Sequence, residues 1–401
     1  MSSSYARRAG RWAGALSLAL VAACQESTTL VAPSGSSTAR AAAKGDTVAT
    51  VQWNEVARGM VVKYNTSAPA TIRLFALLTV AQYNAIADAE KSKVRSLHPA
   101  DRGAVAGASA AVLSYVYPQE ATYFEGLVDQ QQASPTPAGS RHEDFAAGEA
   151  IGRTVAAGVI ERARTDRFFE PYTGTVPDCP SCWKGTSPAF ATLGQAKPFF
   201  LTTNDQFRPG PHPEFGSAAF DAAVAEVRQI ADTRTARQDS IARFWALGPG
   251  TVSAQGYLNL VGSELAVKYR LSEREAAHGL ALLNMAAYDV IVASHEAKFH
   301  YWLLRPKHAD PAITLAIGMP NFPAYPSNHS ALVGSAATVL GALFSGERVR
   351  LEAMADEGAM SRLYGGIHYR FDTEAGLELG RRVATWALSH DVVGHRPFVL
   401  K

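Results

Sequence analysis

Long segments of the chain combine alanine and leucine with polar residues and contain few alternating β-branched positions. Such segments favour α-helices, because alanine and leucine have high helix propensity, whereas a half-buried strand needs apolar residues at every second position. No strand ladder is visible, so the pattern predicts an all-α protein built from helical bundles. The predicted helices are Val51 to Tyr64, Pro69 to Lys91, Arg102 to Val116, Arg141 to Arg164, Glu214 to Ala231, Arg234 to Ala246, Ser272 to Leu304, Ser330 to Phe344, Glu347 to Arg362 and Thr373 to His390.

One long segment, from Phe168 to Pro213, has no helical period and is rich in proline, glycine and aromatic residues. Loops of this length inside a compact domain are usually functional or wrap a surface. We expect the segment to cover part of the helical body and the mouth of a pocket. A purely structural excursion is the alternative.

The N-terminus has the layout of a secretory signal. Arg7, Arg8 and Arg11 precede the apolar run "WAGALSLALVAAC", which is too short to span a bilayer. The "VAAC" that ends at Cys24 resembles a bacterial lipoprotein box, which implies removal of residues 1–23 and lipid on the Cys24 sulfur. A plain signal peptide followed by a nearby cysteine is the alternative.

Both kinds of signal predict an exported protein, and the lipoprotein kind predicts a periplasmic or cell-surface protein whose membrane attachment is the lipid anchor alone. Residues 24–45 are rich in Ser, Thr, Ala and Gly and are typical of a flexible tether. Residues 46–401 then form a helical catalytic domain, with the candidate anion site in residues 295–372.

Composition and charge exclude one class of partner. The 401 residues are 47% hydrophobic, which is enough for a large core. The formal net charge of +2 becomes −1 when the three arginines of the signal are removed. No basic field remains that would indicate a nucleic-acid partner.

The mature chain contains two cysteines besides Cys24, Cys179 and Cys182, in the run "PDCPSCW". In an oxidising compartment this spacing favours a small loop disulfide, because zinc would need further thiolate or imidazole ligands. A redox role is the alternative, although the strand and helix of a thioredoxin-type motif are absent around it.

The segment "HEAKFHYWLLRP" contains the first candidate anion ligands, Lys298 and Arg305. They are seven residues apart, which on a helix ending at Pro306 places them on nearly the same face. Aromatic and aliphatic neighbours argue against open solvent, and two buried cations need an anion between them. A zinc helix is excluded, because His295 and His300 are five residues apart rather than four.

The second piece is "FPAYPSNHSALVGSAATVLGAL", which begins at Phe322. A turn carrying Ser327, Asn328 and His329 leads directly into a helix of small apolar residues. A hydroxyl, free backbone amides and an imidazole at a helix N-terminus favour an anion. The alternative is an ordinary helix cap.

The third piece is "SRLYGGIHYRFD", in which Arg362 precedes a Gly-Gly turn and His368 lies four residues before Asp372. Glycines allow the backbone to approach a ligand closely, and a carboxylate beside a histidine can select its tautomer and raise its basicity. Glycine turns and His/Asp pairs also occur in ordinary loops.

The three pieces form an ordered pattern: Lys-x6-Arg-Pro, Pro-Ser-x-His after nineteen residues, and Ser-Arg-x5-His-x3-Asp after a further thirty-one. This pattern, over residues 298–372, resembles the signature of the superfamily that contains type 2 phosphatidic acid phosphatases and vanadium-dependent haloperoxidases. The helix-rich upstream region is consistent with the soluble, haloperoxidase-like branch, so the resemblance implies helical bundles of that type.

The resemblance implies a role for each residue of the pattern. Vanadate and phosphate have the same shape, so one set of donors serves both: Lys298, Arg305, Arg362, Ser327 and the amides around Asn328 and Gly366. His368 would be the vanadium ligand of a haloperoxidase or the nucleophile of a phosphatase. Asp372 would orient His368, and His329 would be the acid–base residue.

Three functions follow from these roles. The first is a vanadate-containing haloperoxidase that oxidises halide with hydrogen peroxide. The second is an acid phosphatase that hydrolyses phosphomonoesters through a phosphohistidine. Integral lipid phosphatases are disfavoured, because no later segment has the pattern of a transmembrane helix. The third is a surface lipoprotein that binds an oxyanion without turnover, against which the presence of both His329 and His368 counts.

The chain departs from the superfamily pattern at Asn328, where glycine is usual. Asparagine is the non-glycine residue that best tolerates a positive φ, so the turn can persist. Its side chain can narrow the site or add a donor, which leaves the halide or substrate preference open. The sequence also leaves open the oligomeric state and the membrane and leaflet of attachment.

Overall fold

In the computed structural model of the chain, the described residues are 48–93, 99–134, 144–394 and 396–400. The predicted signal, Cys24 and the tether therefore lie outside the described residues. The α-helices are α1 Ala49–Lys63, α2 Ala68–Lys93, α3 Asp101–Val116, α4 Ala121–Ala133, α5 Phe145–Arg164, α6 Ala218–Thr233, α7 Ala236–Ala246, α8 Ser253–Lys268, α9 Glu273–Tyr301, α10 Pro306–Ala309, α11 Asn328–Leu343, α12 Arg348–Tyr364 and α13 Arg370–Ser389. Short 3₁₀ turns occur at Pro118–Glu120, Leu193–Gln195 and Ser345–Glu347.

The predicted all-α fold is confirmed, because these ranges contain no strand and only two isolated β-bridges. Sequence reasoning missed three helices: α4, α8 and the single-turn α10. The polar α4 begins after Pro118 and has only two buried side chains, Phe124 and Val128, so its apolar stripe is weak. Helix α8 is buried on most sides and contains Gly256 and Gly262, so it lacks the polar face that marks a surface helix.

Helix α9 lies at the centre of the molecule. Nearly all of its side chains from Ala276 to Lys298 are buried, and it contacts helices α2, α8, α11 and α13. By length and composition, α9 and α2 could each cross a membrane, but 94% of each apolar window is buried inside the protein. A core helix surrounded by other helices needs no polar face, which explains the continuous apolar sequence.

Two pairs of neighbouring helices, α3 with α5 and α11 with α13, approach closely at glycines. A Cβ on Gly152 would lie 2.0 Å from the Ala104 carbonyl oxygen, and one on Gly376 would lie 2.5 Å from the Ser327 carbonyl oxygen. Real side chains cannot make such contacts, so these positions require glycine. The second contact holds the start of α13 against the start of α11, where the predicted site residues lie.

The predicted long segment, which we call the strap (residues 168–213), is held along α9. The buried carboxylate of Asp289 accepts hydrogen bonds from the backbone amides of Phe199, Phe200 and Leu201 at 2.6, 2.7 and 3.0 Å. Further along, Arg208 forms an ion pair with Glu296 of α9. The strap therefore covers the helical body, as predicted.

Replacing Asp289 by Asn should release the centre of the strap. The amide keeps one acceptor but turns an NH₂ group towards backbone donors, so we expect a loss of about 2–4 kcal/mol in the free energy of unfolding. Urea unfolding measures this loss. The matched control is Asp232→Asn in a half-exposed surface ion pair, for which we expect about 0.5 kcal/mol or less. Equal stability of the two variants would contradict the anchoring role.

Candidate active site

The site begins where α9 ends. Trp302 takes the left-handed conformation, with φ 54° and ψ 24°, directly after Tyr301. This conformation is unusual for a bulky residue and turns the chain away from the helix axis. The prediction of a helix continuing to Leu304 is therefore wrong, and Pro306 starts α10 rather than ending α9. Lys298 and Arg305 do not share a helix face.

Lys298, in the last turn of α9, is fully buried. Its Nζ donates to the carbonyl oxygens of Pro323, Ala324 and Pro326 at 3.1, 2.6 and 2.5 Å. These carbonyls belong to the turn before α11, which contains the cis peptide bond Tyr325–Pro326. The ammonium group thus holds this turn. Burial lowers the pKa of Lys298 well below its ordinary value, and the charge of Arg305 adds to that effect.

Arg305 connects three segments of the site and is fully buried. Its guanidinium donates to the carbonyl oxygens of Phe322, Pro323 and Ile367 at 3.0, 3.2 and 2.9 Å. Its Nη1 is also 3.0 Å from His368 Nε2. Burial lowers the pKa of Arg305 to about 10, so the group is charged at neutral pH and points a donor at the histidine.

The third cation, Arg362, comes from the last turn of α12 and is buried. Its Nη1 donates to the Trp245 carbonyl oxygen at 3.0 Å, and burial together with Arg305 lowers its pKa to about 9. His329 also hydrogen-bonds the Trp245 backbone. Sequence analysis missed Trp245, because a backbone carbonyl at the end of α7 has no sequence signal.

His329 lies in the first turn of α11, and its Nε2 is buried without a hydrogen-bond partner among the described residues. Burial, with a contribution from the charge of Arg362, lowers its pKa well below the ordinary value. The ring is therefore neutral at neutral pH. Its free nitrogen is available to a ligand that brings a proton.

His368 and Asp372 form the pair predicted from their spacing. His368 Nδ1 is 2.8 Å from Asp372 Oδ2, which also accepts from the Tyr369 amide at 3.1 Å. The carboxylate holds the proton on Nδ1, so that Nε2 presents a lone pair towards the cations. Burial raises the pKa of Asp372 to about 7, and the charges of Lys298 and Arg305 oppose this rise.

Ser327 and Asn328 begin α11. Ser327 Oγ caps the helix by accepting from the amide of Ser330 at 3.4 Å and from its hydroxyl at 2.9 Å. Asn328 is helical, so its tolerance of positive φ is not used. Its Oδ1 accepts from Ser294 Oγ at 2.5 Å, which turns the side chain towards α9. The Ser330 amide is thus taken by the cap, whereas the amides of Asn328 and His329 precede the intrahelical hydrogen bonds and can point at an anion.

Gly366 takes φ 76°, and a Cβ there would lie 3.0 Å from the Thr314 carbonyl oxygen. Its amide donates to the Leu363 carbonyl oxygen at 2.9 Å. The structure therefore uses Gly366 for the conformation of the turn that leads to His368. Its amide is occupied in this arrangement, which differs from the predicted role as a donor to the anion.

Together these residues form what we call the anion cradle (Lys298, Arg305, Arg362 and His368). All four side chains are buried, and within the described ranges no carboxylate lies at ion-pair distance from any of the three cations. Burial lowers the pKa of His368 well below its ordinary value, and the charges of Arg305, Lys298 and Arg362 add to that effect. Uncompensated buried positive charge is costly unless an anion binds.

Cys179 and Cys182 form a disulfide with Cα atoms 5.1 Å apart. The loop that they close pairs with the segment before Arg305: Trp183 donates its amide to the Trp302 carbonyl oxygen at 2.6 Å, and Leu304 donates to Ser181 at 2.9 Å. The strap thus holds the segment between the end of α9 and Arg305.

Reduction of this disulfide, or a Cys179→Ser/Cys182→Ser double variant, should weaken the contacts that hold the segment before Arg305. Opening so short a loop costs about 2 kcal/mol, and we expect the affinity for an oxyanion to fall about fivefold to tenfold because the guanidinium is less well held. Calorimetric titration with orthovanadate measures the change. An unchanged affinity in the double variant would show that the loop only stabilises the fold.

Comparison with known proteins agrees with this geometry. The sequence model of the PAP2 superfamily matches residues 278–392, which include every site residue from Lys298 to Asp372. Among curated protein sequences, none matches the chain significantly.

Solved structures share the fold. The crystal structure of the first bacterial vanadium-dependent iodoperoxidase has a TM-score of 0.71 and 21% sequence identity to this chain, and the match covers 86% of this chain and 95% of that one. A holo-type bacterial vanadium-dependent chloroperoxidase has a TM-score of 0.66 and 14% identity, and the match covers 81% of this chain and 92% of that one. The apo-type structure has a TM-score of 0.65 and 15% identity, and the match covers 80% of this chain and 92% of that one. Residues 278–392 therefore match the PAP2 superfamily, and the chain shares the helical fold of these vanadium-dependent peroxidase structures.

Proposed function

We propose that this protein is a vanadium-dependent haloperoxidase-like enzyme, which oxidises halide with hydrogen peroxide at a vanadate held by the anion cradle. The observation that carries the proposal is the group of three buried cations, which have no carboxylate at ion-pair distance among the described residues and lie close to His368, whose Nε2 is 3.0 Å from Arg305 Nη1. Vanadate suits this arrangement because it is a compact oxyanion whose central atom accepts a nitrogen ligand. The fold shared with haloperoxidase structures over most of the chain supports the proposal.

The chain's own residues have distinct tasks in this proposal. Arg305, Arg362 and the amides that begin α11 would hold the oxygens of vanadate, and Lys298 would either join them or hold the turn that carries them. His368 Nε2 would be the nitrogen ligand, while Asp372 keeps the proton on Nδ1. His329, whose Nε2 has no partner among the described residues, would take up and return a proton beside the cradle.

When bound, vanadate supplies Lewis acidity that activates peroxide without a change in its own oxidation state. The net reaction is X⁻ + H₂O₂ + H⁺ → HOX + H₂O, in which halide is oxidised and peroxide is reduced. Each turnover consumes one proton, and the unpartnered Nε2 of His329 beside Arg362 suits the uptake and transfer of that proton.

The second candidate is an acid phosphatase with the same residues, and the PAP2 match over residues 278–392 favours it. His368 Nε2 would attack the phosphorus of a phosphomonoester monoanion, the P–O bond to the alcohol would break, and His329 Nε2 would pass the proton of the monoanion to the leaving oxygen. Water would then hydrolyse the phosphohistidine.

We also propose that the protein is exported and anchored by lipid on Cys24, which rests on the N-terminal sequence alone. A Cys24→Ala variant should lose its partition into detergent and its membrane association. Membrane association equal to that of the unchanged protein would overturn the anchor.

The decisive experiment assays the purified protein with and without orthovanadate. One assay follows peroxide-dependent bromination of a dye, and the other follows hydrolysis of a chromogenic phosphomonoester. Vanadate-dependent bromination is the expected result. Phosphate release that vanadate inhibits, without bromination, would overturn the proposal in favour of the phosphatase.

A further inference from the structure

His295 has an unpartnered nitrogen close to the anion cradle. It lies on α9 three residues before Lys298, so both side chains project from the same side of the helix. Its side chain is fully buried, and Nδ1 is 2.9 Å from the Ile291 carbonyl oxygen. A carbonyl only accepts hydrogen bonds, so the proton is on Nδ1 and the neutral ring carries a bare lone pair at Nε2.

No group in the described parts of the chain donates to His295 Nε2, although the atom is buried. Burial and the charge of Lys298 lower the pKa of His295 to about 3, so the ring is not protonated near neutral pH. A buried acceptor without a donor is uncommon in proteins and calls for a ligand or an ordered water.

Three phenylalanines form the surroundings of the ring. Their ring centroids lie 6.5, 6.4 and 5.6 Å from that of His295, for Phe190, Phe299 and Phe322 respectively. The other neighbours of Phe322 are cradle cations: Lys298 Nζ is 5.3 Å and Arg305 Cζ is 5.2 Å from its centroid. Phe322 thus lies beside both the cradle cations and the ring of His295, and it is partly exposed.

The bare Nε2 of His295 and the phenylalanine rings around it favour one kind of ligand. A bare nitrogen acceptor needs an O–H or N–H donor, which a halide ion does not have. Apolar walls favour a small neutral molecule over an ion. Hydrogen peroxide is neutral and small and carries two O–H donors, and in the proposed reaction it must reach the cradle next to His295.

We propose that His295 binds hydrogen peroxide. Its Nε2 accepts a hydrogen bond from one peroxide O–H, and the rings of Phe190, Phe299 and Phe322 surround this position. The inference rests on the proposed function, and it makes His295 a determinant of peroxide affinity. The residue takes no part in holding vanadate, because its imidazole faces the phenylalanines and the backbone of α9.

The test compares His295→Phe, which keeps a ring without an acceptor, with His295→Gln, whose carbonyl can reach the Nε2 position. In His295→Phe we expect KM for peroxide to rise about tenfold, with kcat changed less than about threefold. In His295→Gln we expect KM to return to within about threefold of the wild-type value. The matched control is His300→Phe on the exposed side of α9, which should change neither constant.

A second readout needs no turnover. Vanadate-loaded protein is titrated with peroxide without halide, and the near-ultraviolet absorbance reports the peroxide Kd, which should rise about tenfold in His295→Phe. Affinity for orthovanadate, measured by calorimetry, should stay within about threefold. If His295→Phe does not fold, His295→Leu removes the same acceptor with a smaller side chain.

The inference would be overturned if a folded variant without the acceptor kept a peroxide KM and Kd within twofold of the wild-type values. It would also be overturned if His295→Phe and His295→Gln were equally impaired, because that result indicates a packing role. These outcomes leave the proposed function standing. A wild-type protein that binds vanadate and hydrolyses phosphomonoesters, yet neither binds nor consumes peroxide, overturns the proposed function and this inference with it.

Discussion

Replacing His368 by alanine is expected to lower kcat by about 10³-fold or more, because the variant removes the Nε2 atom that contacts the reacting centre in either proposed enzyme. The cradle cations remain, so affinity for phosphate or vanadate should fall much less than turnover. Steady-state kinetics and calorimetric titration measure the two effects separately. The matched control, His300→Ala, removes an exposed imidazole from α9 and should leave both values unchanged.

Two further measurements distinguish a loss of catalysis in His368→Ala from a loss of folding. Asp372 loses one of its partners in the variant, so the melting temperature must be compared with that of the wild type. Added imidazole is expected to restore part of the activity, because it can occupy the space of the missing ring. Full turnover in His368→Ala would refute both enzyme proposals. Absence of turnover in the wild type, with oxyanion affinity retained in the variant, would support the binding lipoprotein.

Arg305→Lys is expected to weaken oxyanion binding by about 100-fold although it conserves charge. The guanidinium reaches three carbonyl oxygens and His368 Nε2 at once. A lysine ammonium is a single point of charge and cannot span these acceptors, so buried carbonyls of Phe322 and Ile367 are left without donors. Each such loss costs about 1–3 kcal/mol, and we expect a lower melting temperature as well.

Calorimetric titration with orthovanadate, and with phosphate, measures this loss of affinity. The control is Arg243→Lys, which changes an exposed ion pair on α7 and should leave the affinity unchanged. An Arg305→Lys variant that binds both anions as tightly as the wild type would show that charge alone is needed. The three-segment contact of Arg305 would then serve stability only.

Much of the helical fold was predictable from the chain, and the exceptions have physical reasons. Helices with a clear apolar stripe and caps, such as α7 with its Thr235 capping box, agree with the predicted ranges. Helix α8 was missed because burial on most sides removes the polar face on which the periodic pattern depends. The end of α9 was placed too late, because the left-handed turn at Trp302 is held by contacts with the strap rather than by local propensity.

The site shows the same division. The spacing of His368 and Asp372 was enough to predict their pairing, because four residues across the start of a helix bring both side chains together. The sequence did not reveal that the Trp245 carbonyl accepts a hydrogen bond from Arg362, or that the Asp289 carboxylate binds the strap. Each contact pairs a side chain with a backbone group that is distant in sequence, and a backbone group has no sequence signal. The three carbonyl bonds of Lys298 were likewise unpredicted.

The sequence by itself determined the kinds of chemistry available: the three cations, the two histidines with one carboxylate, and their order along the chain. These are properties of side chains and of short-range spacing, which local geometry carries. Only the tertiary structure decided that the cations are buried together and that Arg305 faces His368 Nε2. It also decided that, in the part of the chain that the structure describes, no carboxylate pairs with these cations and His295 Nε2 has no partner. Burial and pairing depend on contacts between segments far apart in the chain, and no local pattern encodes those contacts.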